Sequence, residues 1–276
     1  YIETKVKSRN VPNVLFAVGN SALNYKQGQG LKTDRDKMIY NAVVGRGSKS
    51  EKQLGKGVFK YFGKGQDGFN ISSCQFAMHY FFEDLTSVKG ILKNVAENTA
   101  VGGYFIGTCY DGNKLFSKLE GLEKGESYSV YKEDTVILEI TKQYDNTEFN
   151  DDDSSLGYGI DVLQETINVK WREYLVNFNY LVRLMENFGF KILDKAECDE
   201  KDLPASVGSF NMLFNKMDDE VLANPKLKYG DASNMTDEEK EISFLNKFFI
   251  FKKIRNVDTQ NINLNITEKL EDATSL

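Results

Sequence analysis

Apolar positions in this chain fall into short continuous runs separated by stretches with helical spacing. The run "NVLFAV", Asn13 to Val18, is too brief for a helix and predicts a buried strand. "FNISSCQFA", Phe69 to Ala77, predicts a second strand. Leu85, Val88, Ile91, Leu92 and Val95 then recur at three- and four-residue intervals, which is one face of a helix. Gly102 and Gly103 break the chain before "YFIGTCY", Tyr104 to Tyr110, a β-rich run that predicts a third buried strand. Residues 143–158, "QYDNTEFNDDDSSLGY", are acidic and polar and predict an exposed loop. Leu175, Phe178, Leu181, Val182, Met185 and Phe188 share one helical face, with Gly189 as its C-cap. "FKILDKA" follows as a strand, and the aromatic "FLNKFFIFKKI" as the last one. From Asn256 onward the chain is polar, which predicts a loose tail. Strands alternating with helices make this an α/β protein.

Composition narrows the class. A chain of 276 residues with 41% hydrophobic and 28% charged residues can bury a substantial core, as a soluble globular protein does. Cys74, Cys109 and Cys198 are odd in number and form no CxxC pair, which points to a reducing compartment and away from structural zinc or a disulfide framework. The first ten residues, "YIETKVKSRN", carry no apolar run, so neither a signal peptide nor a membrane span is visible there. The net charge of −6 argues against a general nucleic-acid coat, but its distribution is uneven. Residues 1–66 are rich in lysine and arginine, among them Lys5, Lys7, Arg9, Lys32, Arg46, Lys52, Lys56 and Lys64. Such a segment either guides a phosphate-bearing ligand or is a solvated lysine-rich surface.

Several catalytic motifs are absent: GxGxxG, GxxxxGK[ST], HExxH and GxSxG. The glycines of "VVGRGSKSEKQLGKG" have the composition of a phosphate loop without its spacing, and predict a flexible basic loop. The one histidine, His79, lies in "SSCQFAMHYFFED", beside Gln75, Phe76, Tyr80 and Phe81, where a strand leaves the sheet. Ligands of open α/β sheets bind at the carboxyl ends of strands. Aromatic faces stack on purines, and His and Gln can satisfy a base edge. Residue chemistry alone leaves two readings open, an aromatic core with one satisfied histidine or a ligand pocket.

"SSCQFAMHYFFED" resembles the "CQF…HY…FE" signature of eukaryotic and viral mRNA cap guanine-N7 methyltransferases. The similarity continues through "VGGYFIGTCYDGNKLF" and "REYLVNFNYLVRLMENFGF" and covers about residues 10–255, with the capping enzymes of large DNA viruses the most similar in character. The resemblance implies a class I S-adenosylmethionine-dependent, Rossmann-like sheet with an antiparallel final strand and without its first two strands. Residues 1–255 would be a partial methyltransferase domain and residues 256–276 a polar tail. It also implies roles for individual residues. Asn20 and Ser21 would meet the cofactor's adenine, with Asn20 where the family has an aspartate, and Gln75 would line the same pocket. Phe76, His79 and Tyr80 would wall the cap guanine, Tyr80 also lying near the methyl donor. Glu173, carried on a helix, would accept hydrogen bonds from guanine N1–H and the exocyclic amine. The second stacking aromatic falls near Leu156 or Tyr158, and a further cap-contacting tyrosine maps near Asn246, with Phe244 adjacent.

The implied activity is methyl transfer from S-adenosylmethionine to N7 of the mRNA cap, with no general base and no metal. The family's glycine-rich loop and ribose-binding acid have no counterpart before "NVLFAV". The chain by itself is therefore expected to turn over little. The alternative is a non-catalytic methyltransferase-like binding subunit that has lost its cofactor site. Implied partners are capped mRNA, triphosphatase and guanylyltransferase modules in the same polypeptide, and a small stimulatory subunit, with no membrane. The expected location is the cytoplasm, a viral factory or the virion for a viral protein, and the nucleus for a cellular one.

Overall fold

The structure, a computed structural model, describes residues 14–262. Its elements in chain order are α1 (Asp34–Val43), α2 (Glu51–Phe59), β1 (Phe69–Gln75), a 3-10 turn (Met78–Glu83), α3 (Leu85–Asn98), β2 (Thr99–Tyr110) and α4 (Gly112–Lys118). Then come β3 (Ser127–Lys132), β4 (Thr135–Lys142), β5 (Gly159–Gln164), β6 (Trp171–Tyr174), α5 (Phe178–Asn187) and β7 (Phe190–Ile192). The last are α6 (Lys195–Glu200), β8 (Val207–Ser209), α7 (Phe210–Ala223), α8 (Asp237–Ser243) and β9 (Asn246–Lys253).

Two sheets result. In the main one the order is β1-β2-β9-β7, with β8 also on β9. β1 and β2 are parallel, and β9 runs antiparallel to β2, β7 and β8. Parallel neighbours need a crossover, which α3 supplies. Asp84 starts that helix by accepting from the Ser87 N–H at 2.8 Å. Its apolar face, Val88, Leu92 and Val95, packs with Phe105 of β2, Phe249 and Phe251 of β9, and Leu184 and Met185 of α5. Each such fully buried side chain contributes about 1.5–3 kcal/mol. Gly107 allows the layers to meet: a Cβ there would lie 2.2 Å from the Cys74 carbonyl and 2.3 Å from the Phe249 ring.

The second sheet, β3-β4-β5-β6, is fully antiparallel and packs its own core, including Leu138, Ile140, Ile160 and Leu115. Periodicity alone does not reveal this sheet. It occupies the stretch between "YFIGTCY" and α5 and forms a wall of the cavity described below.

Several expectations need correction. Val14 to Val18 form no strand, and Phe16 is 81% exposed; Asn13 lies outside the described residues. An apolar run becomes a strand only where a partner takes its backbone groups. Here the nearest pairing is an isolated bridge from Gly19 to Leu31, and no described strand lies on the outer edge of β1. Gly102 and Gly103 do not end an element. β2 begins at Thr99 and passes through them as a bulge, Gly102 taking φ 85° while the register jumps between Phe69↔Thr99 and Ile71↔Tyr104. The basic loop contains α2, kinked where Gly55 adopts φ 72°. The acidic stretch 143–158 is not uniformly exposed, since Tyr144, Ser155 and Tyr158 are buried. Glu173 lies on strand β6, because the helix begins only after Asn177, whose side chain caps the Tyr180 N–H at 3.1 Å. Part of the tail packs: Thr259 donates to Glu97 Oε1 at 2.6 Å and Ile262 rests on the main core, while residues 263–276 lie outside the described residues.

Candidate active site

The parallel strands β1 and β2 end side by side, and the chain turns sharply after β1. Phe76 takes φ 48°, a left-handed conformation that costs a non-glycine residue about 1–3 kcal/mol. Its N–H donates to the Thr108 carbonyl at 2.8 Å, which holds the turn. The 3-10 turn that follows splits its side chains between two environments. Met78 and Phe82 enter the main core, whereas Tyr80 stays exposed and His79 is buried at the boundary.

Across from this turn stands β6. Its alternation puts Val169, Trp171 and Glu173 on one face, and Lys170, Arg172 and Tyr174 on the other. On the outer face Arg172 pairs with Asp161, Lys170 with Glu139, and the Tyr174 hydroxyl donates to Glu83 Oε1 at 2.8 Å. The inner face closes a cavity of about 430 Å³ with Phe76, His79, Tyr80, Tyr110, Val162, Gln164 and Asn246. His79 packs edge-on against Tyr80 at 4.3 Å between centroids and lies 29° from parallel to Tyr110 at 6.4 Å. The Tyr110 hydroxyl accepts from the Gln164 amide at 2.9 Å, which fixes one ring wall.

Two buried polar groups in this cavity lack partners. Glu173 is 8% exposed, and its Oε2 accepts no hydrogen bond. Neither ring nitrogen of His79 is bonded, and Nε2 lies 3.6 Å from Glu173 Oε2, beyond hydrogen-bonding distance. Burial drives each towards its neutral form: it pushes the Glu173 carboxyl up to about 7 and the His79 imidazole down to about 4. Burial, and then the charge of Glu173, also raises the Tyr110 hydroxyl. An unpaired buried polar group costs about 1–3 kcal/mol. A ligand that supplied the missing partners would recover that cost.

The residues assigned to the cofactor are arranged differently. Asn20 Oδ1 accepts from the Ala22 N–H of its own loop at 3.0 Å, and Ser21 Oγ bonds the Tyr25 hydroxyl at 2.6 Å. That loop is anchored on α3. Asn94 donates to the Ser21 and Leu23 carbonyls at 2.9 and 2.7 Å, and a Cβ at Gly90 would collide with the Ala22 carbonyl at 1.7 Å. Gln75 donates to Ser73 Oγ at 3.0 Å and accepts from Thr108 Oγ1 at 2.9 Å. The cavity that takes Tyr80 does not include Asn20, Ser21 or Gln75. In this structure these side chains bond to neighbouring protein groups.

The structure thus brings Phe76, His79, Tyr80 and Glu173 together. It leaves out Tyr158, which is 4% exposed and belongs to the second core, its hydroxyl donating to the Glu148 carbonyl at 2.7 Å. Leu156 packs against the main core. Trp171, Tyr110 and Gln164 line the cavity without having been singled out. The signal for Trp171 was its spacing: two residues before Glu173 places it on the same face of a strand but on the far side of a helix.

The parallel pair, its crossover helix and the antiparallel β9 that completes the sheet define the class I methyltransferase type of fold, with an aromatic cavity at its strand ends. The chain belongs to the mRNA (guanine-N(7))-methyltransferase domain family, whose sequence model matches residues 17–254, and the family's cofactor is S-adenosylmethionine. A probable mRNA-capping enzyme of Acanthamoeba polyphaga mimivirus is 31% identical over 132 residues, 46% of this chain and 11% of that protein. The mRNA cap guanine-N(7) methyltransferase 1 of Arabidopsis thaliana is 34% identical over 131 residues, 45% of this chain and 32% of its own length. The Saccharomyces cerevisiae cap methyltransferase is 26% identical over 193 residues, 67% of this chain and 42% of the yeast protein. The matched stretches therefore span less than half of each relative. Among solved structures, the CcbJ methyltransferase of Streptomyces caelestis aligns over 69% of this chain and 59% of its own at 13% identity, with a TM-score of 0.37.

Proposed function

We propose that the chain binds the guanine of an mRNA cap and presents its N7 for methylation, as part of a cap (guanine-N7) methyltransferase. One observation carries this: a buried, unpaired carboxylate beside a buried, unpaired imidazole, facing an aromatic cavity at the strand ends. With Nε2 protonated, His79 offers a donor next to the Glu173 acceptor. Guanine presents the complementary edge, an O6 acceptor beside the N1–H and exocyclic amine donors. Adenine offers a donor and an acceptor in the reverse order and would clash electrostatically with both groups. Glu173 must be ionised to accept two N–H groups, and the bound base favours that form.

Guanine N7 bears a lone pair and no proton, so the attack needs no general base, and placement in line at about 3–3.5 Å supplies the catalysis. S-adenosylmethionine supplies the methyl group when bound, its sulfur keeping the electrons of the broken C–S bond. The residues of this chain hold the base plane, exclude water and set the Glu173 carboxylate against the positive charge that grows on the ring. His79, neutral well above pH 4, binds the base and transfers no proton. In this proposal Asn20, Ser21 and Gln75 contribute an adenine-side surface at most.

The ten lysines and arginines against three acidic residues over 14–66 suit a polyanion such as the RNA chain. The similarity to a probable mRNA-capping enzyme of a mimivirus is consistent with the proposal that further capping modules, a triphosphatase and a guanylyltransferase, share the polypeptide. The test is transfer of labelled methyl from S-adenosylmethionine to capped, unmethylated RNA, by the chain alone and within its full polypeptide. Label at guanine N7, abolished by Glu173→Ala in a folded protein, is expected. Normal methylation by that variant would remove the proposal.

A further inference from the structure

Methylation converts the guanine from a neutral ring into a cation, and the cavity has features that respond to that charge. Glu173 is the single carboxylate lining it, and no lysine or arginine lines it among the described residues. The lysines adjacent in sequence to its lining, Lys170 and Lys247, are paired with Glu139 and with Asp111, the latter at 3.1 Å. His79 stays neutral at physiological pH. Trp171, the chain's one tryptophan, is 54% exposed and shares the cavity face of β6 with Glu173. Two residues along a strand separate their Cα atoms by about 6.6 Å. A base held at its edge by Glu173 therefore lies within reach of the indole face. Trp171 stands directly across from Val162 of β5, a small side chain that leaves the indole room over the cavity. Indole is the strongest of the aromatic faces for a cation.

We infer that this pocket binds the N7-methylated, cationic guanine more tightly than the unmethylated base, with Trp171 as the side chain that senses the charge. The site is then a methylated-cap binder as well as a methyl-acceptor site, and it retains its product. The inference rests on the cavity being the guanine site. Methylation also makes N1–H a stronger donor towards Glu173, so both contacts favour the same ligand. Phe76 and Tyr80 supply further apolar cover at the mouth, where both are exposed.

Calorimetric titration of the chain with 7-methyl-GTP and with GTP tests this directly. Because Trp171 is the only tryptophan, quenching of its fluorescence reports the same event from inside the pocket. The expected result is a Kd for 7-methyl-GTP about threefold to tenfold lower than for GTP, the range of a partly exposed cation–π contact plus a charged partner. Trp171→Phe should keep part of that preference. Trp171→Ala, followed by calorimetry, should bring the two dissociation constants together while GTP binding persists through Glu173. Equal affinity of the unaltered protein for the two nucleotides, or tighter GTP, overturns the inference and leaves the guanine site standing. Preference unchanged in Trp171→Ala overturns the role of the indole. If neither nucleotide binds or quenches, the guanine site and the inference fall together.

Discussion

The two sides of the 3-10 turn Met78–Glu83 differ in how their polar groups are satisfied. On the side of Asn20, Ser21 and Gln75, the Asn20 Oδ1, the Ser21 hydroxyl and both ends of the Gln75 amide have protein partners, and no described strand pairs with the outer edge of β1. On the side of β6, His79 and Glu173 are buried without partners in a walled cavity. The first arrangement is at rest without a ligand. The second carries an unpaid desolvation cost that only a ligand with the right edge removes. On the proposed function, base recognition is preorganised in this chain, whereas Asn20, Ser21 and Gln75 already bond to protein groups.

The comparison can be broken at several points. The largest effect belongs to Glu173→Ala, which should weaken guanine nucleotide binding at least about thirtyfold, since two hydrogen bonds to a charged acceptor disappear. Isothermal titration reads this, with circular dichroism confirming the fold. Next is pH. Glu173 titrates at about 7 in the free site, and only its ionised form accepts both guanine donors. Affinity for GTP should fall about tenfold from pH 8 to pH 6, and Glu173→Gln should abolish that slope. His79→Ala removes one neutral hydrogen bond and should cost about fivefold to tenfold. Because the imidazole is already neutral above about pH 4, the pH profile between 5 and 8 should not change in that variant. Asn20→Ala and Gln75→Ala should alter GTP affinity less than twofold. A large loss from either would place the cofactor-side surface within the guanine site and erase the contrast.

The sequence made one half of this contrast legible. The Ser72–Asp84 stretch could be located because its single histidine and clustered rings stand out, and the helix Leu85–Asn98 because its apolar spacing is regular over four turns. The β6 wall was hidden. Four residues are too short to reveal a period, and the helical pattern of α5 extends backwards over Leu175 and masks the strand before it. On a helix Trp171 and Glu173 would face apart, whereas on strand β6 they share a face. The place of Tyr158 was hidden for a related reason: a polar stretch reads as uniformly exposed, although this ring turns inward onto Phe116, Tyr144 and Phe149. Val14 to Val18 failed as a strand because apolar composition does not provide a neighbouring strand.

The central claim is that Glu173 and His79 read the edge of guanine. Comparing GTP with ITP, which differ only by the exocyclic amine, isolates the second donor to Glu173. The account predicts that GTP binds about tenfold more tightly than ITP and that Glu173→Ala removes the difference. Equal binding of the two nucleotides to the unaltered chain would contradict it.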